Sequence, residues 1–169
     1  PTDARIMLVG EQPGDQEDRT GIPFVGAAGR MLDRALDEAG IERASVYVTN
    51  AVKHFKWEPR GKRRLHKTPA QREVAACHLW LEEELKRVQP QVVVALGSTA
   101  LKSLLQDGSA TMTSMMNDGH PAPVQHDGRW VVTVYHPSYV LRAPDEAARR
   151  QAYGVIVEGL RQALQLVGR

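Results

Sequence analysis

The sequence predicts an α/β protein, a three-layer α/β/α sandwich around a central, mainly parallel sheet of about four strands. Two apolar runs without polar alternation, RIMLVG at 5–10 and VVVALG at 92–97, end in glycine and read as strands buried on both faces. Segments with helical three- and four-residue apolar spacing lie between the strand candidates, so strand and helix alternate along the chain. In such a sheet, functional groups collect beyond the carboxyl ends of the strands.

Each element has its own signal. Residues 26–39 place Met31, Leu32, Ala35, Leu36 and Ala39 on one helical face, with Gly40 just past the end. SVYVTN at 45–50 is a second strand. Residues 51–68 are basic, contain Gly61 and have no apolar period, which reads as a long functional loop. Thr68 and Pro69 open a helix whose inner stripe is Val74, Cys77, Leu81 and Leu85. Ser98 is placed to cap a short helix carrying Ala100, Leu101, Leu104 and Leu105. Residues 106–123 carry no assignment. Asp127-Gly128 marks a tight turn between two extended segments, the second being the strand WVVTVY at 130–135, and a last helix covers about 145–166. No internal repeat or interdomain linker interrupts the pattern, so 1–169 is expected to be a single domain.

The 169 residues are 42% hydrophobic and 25% charged, which supports one globular core and argues against a disordered chain. No apolar run approaches the roughly 20 residues of a membrane span, and the first residues lack a signal-peptide stretch. A cytoplasmic protein, without membrane contact and working as a monomer, is expected. Net charge is only +2, but residues 53–67 hold seven basic side chains and one acid. A positive island on a mildly acidic body presents one face to phosphates. The single cysteine, Cys77, excludes an intramolecular disulfide.

The candidate chemistry sits at the predicted strand ends, and each group also has a plain structural reading. GEQPGD at 10–15 gathers Glu11, Gln12 and Asp15 between Gly10 and Gly14; it is either a strand-to-loop turn or a cluster of reactive carboxylates. No Lys-Ser/Thr pair follows, so it is not a P-loop. His136, in His136-Pro137-Ser138, follows a strand directly; proline stiffens its position, and Ser138 can cap a helix or contact a phosphate. Asn50 offers a donor and an acceptor for a base edge, or simply forms a turn. Phe24 stacks on a ring or fills the core. The run GKRRLHK at 61–67 is a solvated charge patch or a working loop; cations around His66 disfavour the imidazolium and leave a neutral nucleophile.

Taken together, GEQPGDQED at 10–18, GIPFVGAAGRMLD at 21–33, VTNAVKH at 48–54, GKRRLHK at 61–67 and HPSYVLR at 136–142 resemble the uracil-DNA glycosylase superfamily. The likeness runs from Ile6 to about Leu166. The basic insertion resembles the KRRIH loop of the UdgX-type branch among the iron-sulfur families, with Leu65 in place of isoleucine.

The resemblance implies that a uracil nucleotide is extruded into the pocket. Phe24 stacks on it, Asn50 reads its polar edge, and Gly10, Gly14, Ser138 and Arg142 line its site. His136 stabilises negative charge on the departing uracil. His66 attacks C1′ and stays bonded to the abasic sugar, with Glu11 and Asp15 as supporting carboxylates and Gln12 in a positioning role. Lys62, Arg63, Arg64 and Lys67 follow the DNA backbone, and single-stranded DNA is the easier substrate because no base pair opens. The resemblance also implies a 4Fe-4S cluster in the full-length protein. His54 and Cys77 match two of its four ligands, and the N-terminal Cys-x-x-Cys pair has no counterpart, as though that segment were left off. Three activities are compatible with these residues: covalent capture, conventional multiple-turnover uracil excision, and non-catalytic binding of uracil-containing or damaged DNA.

Overall fold

The computed structural model describes residues 2–11, 26–51, 57–60, 63–66 and 71–168, with 57–60, 63–66 and 71–79 described as backbone. Four parallel strands form the centre of the sheet: β1 (Ile6–Gly10), β2 (Tyr47–Asn50), β5 (Val92–Leu96) and β9 (Arg129–Val134). Their order is β2-β1-β5-β9, and a fifth strand, β8 (Val124–His126), pairs antiparallel at the β9 edge. The sandwich class is as expected, with one strand more than the sequence suggested. The extra strand is the extended segment expected before the Asp127-Gly128 turn, which pairs onto the sheet edge.

Every residue of β1 and β5 is buried, which is why neither shows polar alternation. Ile6, Leu8, Val92, Val94, Leu96, Val132 and Val134 face one layer, made by α1 (Ala27–Ala39) and α5 (Glu146–Val167). Met7, Val9, Val93, Ala95 and Val131 face the other, made by α2 (Gln71–Val88) and α3 (Ser98–Leu105). Leu32 and Leu36 of α1 are 0% and 1% exposed; complete burial of each contributes about 1.5–3 kcal/mol. Gly40 ends α1 at φ +80°, a left-handed cap that a side chain would strain. Asp145 starts α5 by accepting the Ala148 N–H at 2.8 Å.

Several local readings change. Residues 51–68 are not one loop: β3 (Trp57–Arg60) and β4 (Arg63–His66) pair as an antiparallel hairpin, with Trp57 opposite His66. Backbone pairing holds such a ribbon together, and charged side chains hide it from any search for apolar alternation. Ser98 is the first helical residue of α3 and does not cap it; Gly97 occupies the cap position without a side-chain bond. Residues 43–45 form a 3-10 turn, so β2 begins at Tyr47. The unassigned stretch contains a 3-10 turn, Thr113–Met115, and a minimal hairpin of β6 (Met116–Asn117) with β7 (His120–Pro121). The turn at Asp127-Gly128 is as expected, with both residues at positive φ, +51° and +78°, the geometry a two-residue hairpin requires.

Candidate functional site

The carboxyl ends of the four parallel strands make one edge of the sheet. Gly10 and Asn50 end β1 and β2 in register, and the Ala51 N–H donates to the Gly10 carbonyl at 2.8 Å. Asn50 is 7% exposed, a buried amide at the strand end rather than a solvent-facing turn residue. Across β5, the Gly97 N–H donates to the Val134 carbonyl at 2.9 Å and ties the end of β5 to the end of β9. Gly97 has φ +97°, and a Cβ there would lie 3.4 Å from the His136 Cβ. A side chain at Gly97 would therefore be strained and would press on the histidine.

His136 leaves β9 and itself caps the short helix α4 (Pro137–Leu141), correcting the expectation that Ser138 is the capping residue. Its Nδ1 accepts the Ser138 N–H at 3.1 Å and lies 2.8 Å from the Ser138 hydroxyl oxygen. A main-chain N–H can only donate, so Nδ1 is the acceptor and the neutral ring carries its proton on Nε2. Pro137 at the first helical position fixes the chain immediately after the histidine. The local sequence thus produces an imidazole held at one nitrogen with a donor at the other, which is the form that stabilises a developing anion.

Glu11 follows β1 and is partly buried. Burial pushes its carboxyl above the ordinary carboxylate value, and the Arg142 guanidinium works against that shift. Arg142 ends α4, so this electrostatic contact links the outlet of β1 to the segment after β9. Glu11, Asn50, Gly10, His136, Ser138 and Arg142 therefore share one edge of the fold, contributed by three strands.

The other candidates are placed less fully. Gln12, Gly14, Asp15, Phe24, His54, Lys62 and Lys67 lie outside the described residues. Arg63, Arg64 and His66 form part of β4, and Cys77 lies within α2; for these the backbone alone is described. Helix α2 is pinned to the edge strand by Glu84, which accepts from the Tyr47 hydroxyl at 2.6 Å and from the Thr49 hydroxyl at 3.0 Å. Burial and that carboxylate push the Tyr47 phenol up to about 12, so it stays a donor throughout the ordinary pH range.

An iron-sulfur cluster requires thiolates at most of its ligand positions, and these 169 residues contain one cysteine. No cluster of three or more metal-ligating side chains occurs among the described residues. The donor set present does not complete such a group.

Sequence reasoning passed over a tyrosine pair, the Glu84 anchor and the packing of Gly97. Tyr135 and Tyr139 stack with ring centres 4.7 Å apart and planes 18° from parallel, on either side of the His136-Pro137-Ser138 turn. An aromatic flanking each end of that motif was the available signal. Gly97 is legible as a strand-ending glycine but its packing against His136 is not, and Glu84 gave no signal, since both contacts depend on which strands become neighbours.

Comparison with known proteins agrees with this architecture. The sequence profile of the uracil DNA glycosylase superfamily matches residues 1–161. A Type-4 uracil-DNA glycosylase of Thermotoga maritima is 38% identical over 165 residues, covering 98% of this chain and 79% of the relative. One from Pyrobaculum aerophilum is 36% identical over 82% of this chain and 69% of its own length. A Type-5 uracil-DNA glycosylase of the same organism is 35% identical over 80% of this chain and 62% of its own. With nearly the whole chain matched, and the sheet edge built as above, the chain belongs to the uracil DNA glycosylase superfamily.

Proposed function

We propose that this protein excises uracil from DNA, preferring single strands, and that His66 captures the resulting abasic sugar. The observation that carries the excision reading is the His136 geometry: Nδ1 is occupied by the Ser138 N–H, and Nε2–H is the donor that the departing uracil needs. As the C1′–N1 bond breaks, its electron pair leaves with uracil, and a hydrogen bond from Nε2 to a uracil oxygen stabilises the anion. Asn50 reads the polar edge of the base, with Phe24 as the stacking ring. Gly10, Gly14 and Ser138 shape the pocket wall. Glu11, partly buried beside Arg142, supports positive charge developing on the sugar.

Capture follows if a neutral imidazole nitrogen of His66 attacks C1′ in place of water. The N–C1′ bond forms and the ring's other N–H proton passes to a carboxylate, Glu11 or Asp15, with Gln12 a positioning amide. Alkylated imidazole is a poor leaving group, so each molecule would act once. The basic stretch around β4, with Lys62, Arg63, Arg64 and Lys67, supports contact with phosphates. We take 1–169 as a single domain acting as a cytoplasmic monomer. A second reading, conventional turnover with His66 on a phosphate, is favoured by the Type-4 names of the relatives.

A denaturing gel separates these readings. With excess uracil-containing single strand, a protein–DNA band that survives heat and detergent, stoichiometric and absent in His66→Ala, is the expected result. Free uracil released over many turnovers without that band refutes capture and leaves excision standing. Binding without uracil release refutes both. A stable band in His66→Ala refutes the choice of nucleophile.

A further inference from the structure

Beside the His136 turn lies a second concavity, a groove of about 270 Å³ lined by Tyr135, Tyr139, Arg142, Pro144 and Gln151 among others. We propose that this groove is a subsite for the nucleobase next to the uracil on the same strand. The proposal rests on the uracil-excision reading and adds a recognition element to it.

Four observations carry it. Tyr139 is 51% exposed, a degree that only Trp80 exceeds among the large apolar or aromatic side chains of the described residues, although it sits beside buried Val140 and directly after Ser138. Its ring is already stacked on Tyr135, so a further flat ring laid against the pair extends an existing stack instead of organising a new one. The volume falls below the roughly 300 Å³ at which pockets for drug-sized molecules begin, which suits one base and excludes a duplex end. Arg142 lines the groove and also acts electrostatically on Glu11, so the groove and the excision site share a wall. A guanidinium between them is placed for the phosphate that joins two successive nucleotides.

Stacking on an aromatic face is tolerant of base identity, because every base has a π-face. The groove therefore gives affinity for a neighbouring base of any kind. It also favours single strands, in which that base can leave its own neighbours.

The test uses short fluorescently labelled single strands carrying 2′-fluorinated deoxyuridine, which resists cleavage, with the base on one side or the other replaced by a stable abasic spacer. Anisotropy titration of the wild-type protein is expected to show affinity falling roughly 5- to 100-fold for one of the two spacers, the range for a single base–aromatic stack. Tyr139→Phe should keep that discrimination, and Tyr139→Ala should bind intact and spacer strands alike. Tyr139→Leu, which retains an apolar contact to Tyr135 without a stacking face, serves if the alanine variant does not fold. Equal binding of all three strands by wild type, or full discrimination in Tyr139→Ala or Tyr139→Leu, overturns the subsite. Replacing uracil by thymine tests the excision reading separately: loss of uracil preference would sink that reading, while spacer discrimination would still report on the groove.

Discussion

His136 has an observed capping task and a proposed chemical one, and substitution can separate them. Its Nδ1 caps α4 through the Ser138 N–H, and its Nε2 carries the proton proposed to meet the leaving uracil. Asparagine is a strong capping residue, so His136→Asn keeps an acceptor for that N–H while deleting the distal donor. Loss of one donor of the oxyanion type costs about 10²–10³ in rate, or about 2.7–4 kcal/mol in the transition state. Loss of a cap costs about 1 kcal/mol of stability, which for a chain of this size lowers Tm by about 2–4 °C. His136→Asn should therefore melt within a degree or two of wild type and release uracil about 10²- to 10³-fold more slowly in single-turnover assays. His136→Ala should show the same rate defect and also lose the few degrees. Since the two effects fall on different observables, thermal melting and single-turnover kinetics measured on both variants separate them. Near-normal uracil release by His136→Asn would refute the donor assignment. An equal melting loss in both variants would refute the cap.

Two further perturbations probe the parts around this histidine. Burial raises the Glu11 pKa above its unfolded value, so its contribution to stability is fully present below the unfolded pKa and is lost as pH rises through the folded one. Glu11→Gln should flatten the pH dependence of Tm above the ordinary carboxylate range, raise Tm at neutral pH and slow uracil release by about 10²- to 10⁴-fold; a neutral-pH Tm below wild type would contradict the desolvation argument. In α5, a Cβ at Gly159 would clash with Val134 Cγ1, two residues before His136. Overpacking there costs about 1–3 kcal/mol against the nearly 1 kcal/mol that alanine gains in helix propensity, so Gly159→Ala should lower Tm by a few degrees and weaken excision through a displaced β9. An unchanged Tm would show that α5 moves aside freely.

The parts legible in sequence are those in which a local pattern and the tertiary demand coincide. Ile6–Gly10 and Val92–Leu96 had to be unbroken apolar runs because both faces of a central parallel strand are covered. Leu32, Ala35 and Leu36 had to recur at helical spacing because α1 buries one face. The Asp127-Gly128 pair had to tolerate positive φ. By contrast, the hairpin of β3 and β4 is specified by backbone pairing, and its charged side chains carry no periodic signal. Ser98 illustrates a different failure: serine before an apolar helical pattern usually marks a cap, but the strand here ends one residue earlier and Gly97 takes that place at φ +97°.

The site divides in the same way. Positions at strand ends, Gly10, Glu11, Asn50 and His136, were readable because a parallel sheet sends every carboxyl end to one edge. What each group does there depends on neighbours from other strands. The Glu11 carboxyl is shifted by burial and by Arg142, which lies 131 positions later in the chain, and neither influence is a property of GEQPGD. The tautomer of His136 is an intermediate case: its partner is only two residues away, in the same motif, yet the assignment required Ser138 N–H to lie on Nδ1 at 3.1 Å. A motif therefore identifies which atoms are brought to the edge, and the surrounding hydrogen bonds and charges decide the protonation state in which they arrive. On the proposed reading, in which a hydrogen bond is delivered to the leaving uracil, substitutions that preserve position while changing the donor are therefore the decisive ones.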